Sequence, residues 1–397
     1  MARLGCTGCR DTGVVSLQSR VMATPVSPIA NGEVLLHVGL HKTGTTALQV
    51  ALADARLDLE QHGVRYPGTS TYQHRAIMGG AGKAYGWQDR GAKEVPLKTW
   101  DALVSQSRFK GRTVVSSEFL DNVEADVAAR MVADLGGPQR VRVVVTLRSI
   151  GAILPSAWQQ RLKSGYAAPY SQFLTTIFAE QRSRRAERFW FRHDQVEQLR
   201  RWADIVGYDR TYAVIIPDGD RTAIFDAFEG LALPAGFLAK REVAVANRSM
   251  TAGEAEFLRR LNKEVADELT WDQYATKVRE GIVLTMVETR KPPAEEPRIQ
   301  TPAWAADQAA EYGQRFAEGV AALGVQVIGD PGALAKRPRS APYRRARSMP
   351  LDAAVAAAAG LVRYETKPAT AGRRQAWRVL TRRSGRDDTV REDADEA

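Results

Sequence analysis

Lys42 lies between Gly39 and Gly44 and just ahead of Thr43, Thr45 and Thr46. An ammonium group, backbone N–H groups exposed by glycine, and hydroxyls at one turn are the donors that hold a phosphate ester. Gly39 and Gly44 permit the positive φ and close approach such a loop requires. Thr45 and Thr46 can cap a following helix and donate to phosphate oxygens. A second anion-binding candidate is Arg148, which ends the apolar run 141–147. A planar guanidinium matches a phosphate through two parallel hydrogen bonds. Glu118 follows the run 113–117 and is a candidate general base, or else a structural carboxylate that orients the loop or pairs with Lys42 or Arg148. His41, beside Lys42, is a second candidate base or a donor to the same anion. His74 is either solvated or faces a substrate, and His37, inside an apolar run, reads as a satisfied core histidine.

These residues need elements to position them. Runs 34–38, 113–117, 141–147, 212–216 and 325–328 read as strands, the third buried on both faces because it is almost continuously apolar. Helical spacing covers 45–59, 123–135, 150–163, 196–205, 251–266 and 304–323, and 351–362 can form a short helix. Strand–helix alternation implies an α/β domain of three layers, a central parallel sheet flanked by helices. In such sheets ligands bind at the C-terminal edge of the strands, where Gly39, Glu118 and Arg148 all fall.

Gly39 to Gly44 has the spacing of a nucleoside-triphosphate loop, but that motif needs Lys directly after the second Gly, where this chain has Thr45. An NTPase also needs an Asp at the end of such a strand to hold Mg²⁺, where this chain has Arg148. The segment Lys42-Thr43-Gly44-Thr45-Thr46 instead resembles the 5′-phosphosulfate loop of sulfotransferases that use 3′-phosphoadenosine 5′-phosphosulfate (PAPS), whose usual Pro is replaced by His41. Arg148 and Ser156, with Ser156-Ala157-Trp158-Gln159, resemble that family's 3′-phosphate segment. The strand ending at Glu118 resembles the one that delivers its acceptor-activating residue. The segments 247–251, 258–262 and 324–330 are similar to others in bacterial members. The resemblance covers about residues 33–330. It implies a P-loop-type fold, PAPS as sulfuryl donor with no metal, and donor contacts from Gly39, Lys42, Thr43, Gly44, Thr45, Thr46, Arg148 and Ser156. Two features depart from it. Ala47 stands where cytosolic members carry Trp, and no Arg-Lys-Gly closes the domain; Arg248 is the candidate replacement donor. The acceptor, a small molecule, glycan or lipid, is left open. A kinase or NTPase, and a non-catalytic binding protein on the same fold, are the alternatives.

The chain has 397 residues and a formal net charge of +10. That excess first suggests nucleic acid or an anionic surface, but its location argues otherwise. Residues 1–32 carry +2, residues 331–397 carry +7, and 33–330 only +1. The expected organisation is therefore a disordered leader (1–32), one domain (33–330) and a basic, largely disordered tail (331–397), with no specific nucleic-acid partner. The tail is either a solvated extension or a peripheral contact to anionic lipid, at about 1 kcal/mol per surface Lys or Arg. Cys6 and Cys9 lack the second pair that a zinc site needs, and two cysteines fit a reducing, cytoplasmic setting. Arg outnumbers Lys 44 to 12, the bias of a GC-rich bacterial genome. Residues 181–192 interleave Arg with aromatics, either as a lid over an acidic or glycan-like acceptor or as a solvated helix leading to a buried Trp190.

Overall fold

The computed structural model describes residues 27–40, 43–180, 182–220, 222–238 and 248–365. Six strands, β1 (Val34–Gly39), β2 (Val64–Arg65), β3 (Arg112–Ser117), β4 (Val141–Leu147), β5 (Thr211–Ile215) and β6 (Gln326–Ile328), form one sheet in the order β2-β3-β1-β4-β5-β6. Every pairing is parallel. The helices that bear on function are α1 (Thr45–Asp54), α2 (Ile150–Leu162), α3 (Arg184–His193), α4 (Gln195–Val206), α5 (Ala252–Val265), α6 (Ala303–Ala322) and α7 (Leu351–Glu365). The α/β three-layer architecture expected from the alternation is the one observed. Strand β2 has only two residues and gave no periodic signal, and the helices His74–Gly80 and Lys98–Ser107 were not foreseen either.

Alternation along the strands builds two cores. Val34, Leu36 and Val38 of β1 face one side with Val115, Val143 and Val145. Leu35 faces the other with Val114, Val144 and Val214. The apolar runs are unbroken because both faces are covered. Helix α2 holds the first core in place through Ile150, Ile153, Leu154 and Trp158, each buried. Each such side chain contributes about 1.5–3 kcal/mol.

The folded unit extends past the expected 33–330 on both sides. Ile29 is buried and its N–H donates to Leu231 O at 2.8 Å. After residue 330, Leu334 is buried, and α7 inserts Ala353 and Ala357 into the first core. Helix α7 lies against the π-helix Tyr274–Leu284. A Cβ at Gly360 would stand 2.7 Å from Thr285 Cβ and nearer still to the Gly281 carbonyl oxygen. The docking face of α7 is made of Ala and Gly, so it presses backbone against backbone, and its weak hydrophobicity concealed it in the sequence. Cys6, Cys9 and the second arginine cluster, 373–386, lie outside the described residues. Among the described residues no helix is long and apolar enough to cross a membrane.

Candidate functional site

The C-terminal edge of the sheet brings three candidate groups into line. Val38 pairs with Ser117 of β3, and Gly39 pairs with Thr146 of β4. Neighbouring strands are about 4.8 Å apart. The loop leaving Gly39 therefore emerges between Glu118, one residue past β3, and Arg148, one residue past β4. Asp218, beyond β5, comes next along the same edge.

Loop geometry follows from its two glycines by different routes. Gly44 has φ +93°, the left-handed conformation that favours glycine. Gly39 has no such φ; it is needed for space. A Cβ there would lie 2.6 Å from Thr45 Cγ2 and closer still to Thr45 Oγ1. Thr43 is buried and anchors the loop. Its Oγ1 donates to Leu40 O at 2.7 Å and lies 2.7 Å from Thr146 Oγ1. Thr45, also buried, stands 3.3 Å from the Thr43 hydroxyl. The expectation that Thr45 and Thr46 cap the helix is corrected. Gly44 is the N-cap of α1 with no side-chain cap, and the first turn holds no acid. The threonines sit inside the first turn, and among the described residues no side chain caps its positive end. His41 and Lys42 lie outside the described residues.

Beneath the loop, His37 is fully buried and bridges the three central strands. Its Nδ1 is 2.8 Å from Ser116 Oγ and its Nε2 3.1 Å from Thr146 Oγ1. Burial pushes its pKa down to about 3, so it is the neutral core histidine anticipated.

Arg148 donates from Nε to Asp218 Oδ1 at 2.9 Å, and Ser149 Oγ donates to Asp218 Oδ2 at 3.0 Å. Gln195 of α4 donates to Arg148 O at 2.6 Å. One edge of the guanidinium and its backbone are thus fixed. Ser149 also caps α2 by accepting from Ala152 N. Ser156, half-buried in the second turn of α2, donates to Ile153 O at 2.8 Å. Arg248 is held by an acid of α5. Its guanidinium binds Glu254 through two 2.7 Å bonds and also donates to Arg290 O. These donors are engaged in a structural cluster with the buried Glu254 and Arg290.

Glu118 begins the short 3₁₀ turn Glu118–Asn122. Its Oε1 is 3.4 Å from His74 Nε2, and its Oε2 is buried with no hydrogen-bond partner among the described residues. His74 Nδ1 lies 3.3 Å from Ser117 Oγ, and the ring stacks on Tyr72 at 5.0 Å. Burial, and after it the charges of Glu118 and Glu288, push the Tyr72 phenol up to about 12. Gln73 holds this segment against β3 by accepting from Ser116 N at 2.8 Å. The fold therefore joins two candidates, Glu118 and His74, that lie 44 residues apart in the sequence. Sequence reasoning missed Asp218; its one signal was a Pro-Asp step directly after a strand. Among the described residues no group of three or more His, Cys, Asp or Glu is arranged to hold a metal.

No protein-family model matches this chain, and no curated protein matches it. Among solved structures, it is similar to a sulfotransferase from Alicyclobacillus acidocaldarius at 14% sequence identity and a TM-score of 0.35. That match covers 60% of this chain and 97% of the other.

Proposed function

We propose that this chain transfers a sulfuryl group from PAPS to a hydroxyl or amine of an acceptor by in-line displacement. The observation that carries the reading is the juxtaposition at the sheet edge. A glycine-shaped loop with the Lys42-Thr43-Gly44-Thr45-Thr46 pattern emerges between a carboxylate and an arginine. The residues fit such a donor. The uncapped first turn of α1 offers N–H groups to an anion. Arg148, steadied by Asp218, offers a guanidinium on one side, and Lys42 a charge that can neutralise the departing phosphate.

Glu118 would take the acceptor's proton. The acceptor oxygen forms a bond to sulfur, the bond from sulfur to the 5′-phosphate oxygen breaks, and the bisphosphate leaves. The partnerless Oε2 is the atom suited to receive the proton, and His74 on Oε1 holds the carboxylate in place. General-base assistance of this kind supplies about 10²–10⁴-fold. A kinase reading is less well served, because Thr45 stands where the phosphate-reaching Lys must be.

Labelled PAPS added to cell extract with the purified chain should yield newly sulfated material, and Lys42→Ala should abolish it. No transfer to any extract component would refute the reading. Glu118→Gln should lower turnover at least a hundredfold; unchanged turnover would remove Glu118 as base.

A further inference from the structure

Beside Glu118 the chain gathers positive charge that its own acids do not balance. Arg185, Arg188 and Arg192 recur on α3 at the spacing that puts them on one helix face. The adjacent stripe, Ala186, Phe189 and His193, is buried. Arg192 fixes which way the basic face points. It holds the fully buried Asp121, Nε to Oδ1 at 3.0 Å, within the same 3₁₀ turn that Glu118 begins. Asp121 lies three residues from Glu118, about 6 Å along that turn. From Arg192 back to Arg185 the stripe runs about 10 Å.

Arg161, at the end of α2, lies against the other end of the stripe. It donates to Arg185 O at 3.4 Å and stacks over Phe173 at 5.4 Å. No carboxylate pairs with Arg161, Arg185 or Arg188 among the described residues. Burial, and behind it the charges of Arg192, Arg185 and Arg188, press the Arg161 guanidinium below its usual range, against a counter-pull from Tyr166. Lys83 donates to Asn122 O at the far end of the turn and is balanced by Glu124 and Asp121, so it stands apart from this set. A half-buried cation among cations is costly unless an anion completes the set. The acids nearby are otherwise placed. Asp121 is taken by Arg192, Glu187 falls on another face of α3, and the exposed Glu180 bears on Tyr166 without an ion pair to these arginines among the described residues.

We propose that Arg161, Arg185 and Arg188 form a subsite for an oxyanion (carboxylate, phosphate or sulfate) carried by the acceptor at some distance from the group it presents to Glu118. This rests on the sulfuryl-transfer reading for the identity of the ligand as acceptor, but the oxyanion site itself can be tested without it. Aromatic faces gather beside Glu118. Phe119 lies 4.9 Å from His74, and the exposed Tyr85 lies 5.7 Å from Phe119. Such faces suit the C–H surfaces of a sugar ring, so a saccharide frame is the probe.

The full chain, saturated with 3′-phosphoadenosine 5′-phosphate (PAP) to occupy the donor loop, is titrated with lactose, lactobionate and a lactose sulfate. These share a galactose unit and differ in the oxyanion. We expect the two acidic probes to bind at least tenfold more tightly than lactose. Arg185→Glu with Arg188→Glu, both exposed, should erase that preference and leave lactose and PAP binding unchanged. Arg161→Met, checked for folding by circular dichroism, should do the same. Arg344→Glu with Arg347→Glu, charge changes at two exposed arginines after the last strand, should have no effect. Equal affinity for all three probes, no acidic binding at all, or full retention in the Arg185/Arg188 double variant would overturn the proposal. So would a glutamate-rich peptide binding more tightly than both acidic sugars. A chain that fails to bind PAP yet discriminates the acidic probes contradicts the donor reading and leaves the oxyanion site standing.

Discussion

Replacing Gly39 by Ala should damage the loop by crowding alone. The added Cβ would meet Thr45 at 2.6 Å from Cγ2 and 2.9 Å from Cβ, with Oγ1 nearer still. Ordinary contacts between carbons lie at about 3.5–4.0 Å, so the start of α1 must retreat by roughly 1 Å or more. Thr45 is not free to swing aside, because it is buried against Thr43, which is itself tied to Leu40 and Thr146. Overpacking of this kind costs about 1–3 kcal/mol, and β1 has no φ strain to relieve at Gly39. Chemical denaturation should show the loss directly. Calorimetry with PAP should show affinity lower by about 5-fold to 150-fold, the same energy expressed as binding. Gly39→Ala with Thr45→Ala removes the two nearest contacts and should recover much of the stability. A Gly39→Ala chain as stable as the parent and binding PAP within twofold would refute the view that close approach at Gly39 shapes this loop.

Three further outcomes follow from the packing. Glu254 is fully buried, and although burial opposes its ionisation, hydrogen bonds from Arg248, the Thr251 N–H and Arg290 hold its pKa below the usual 4.5. A carboxylate with a lowered folded pKa stabilises fully above its unfolded value and loses that contribution as pH falls through the folded one. Glu254→Gln should therefore cost about 3 kcal/mol near neutral pH and flatten the acid limb of the stability curve; an unchanged acid limb counts against the cluster. Gly360→Ala should lift α7 from the π-helix at a cost of about 1–3 kcal/mol, read as faster hydrogen exchange over residues 351–365; unchanged protection there contradicts the docked helix. Asp218→Ala should weaken PAP binding severalfold with little effect on stability, because it frees the Arg148 side chain it now steers; equal affinity would make Asp218 a bystander.

The sheet was legible because β1, β3, β4 and β5 are short runs rich in apolar and β-branched residues, bounded by turns and covered on both faces. The loop was legible because glycine, lysine and threonine chemistry is carried by neighbours in sequence. What stayed hidden depends on spatial order. Asp218 meets Arg148 only because β5 lies beside β4, and His74 meets Glu118 only because the segment before the helix His74–Gly80 returns to β3. Thr251 with Glu254 has the spacing of a capping box, which forms, but that Arg248 and Arg290 also bind Glu254 depends on tertiary placement. The extent of the domain was misjudged for a different reason. Helix α7 packs through alanine and glycine, which mark a face only when the opposing backbone is known.

The central claim, that the loop between Glu118 and Arg148 receives a 3′,5′-bisphosphate donor, is tested most directly by calorimetric titration of the intact chain with PAP in the absence of Mg²⁺. Saturable binding at one site is expected, unchanged when Mg²⁺ is added and severely weakened by Arg148→Ala. Undetectable PAP binding, or binding of ATP that requires Mg²⁺ in its place, would contradict it.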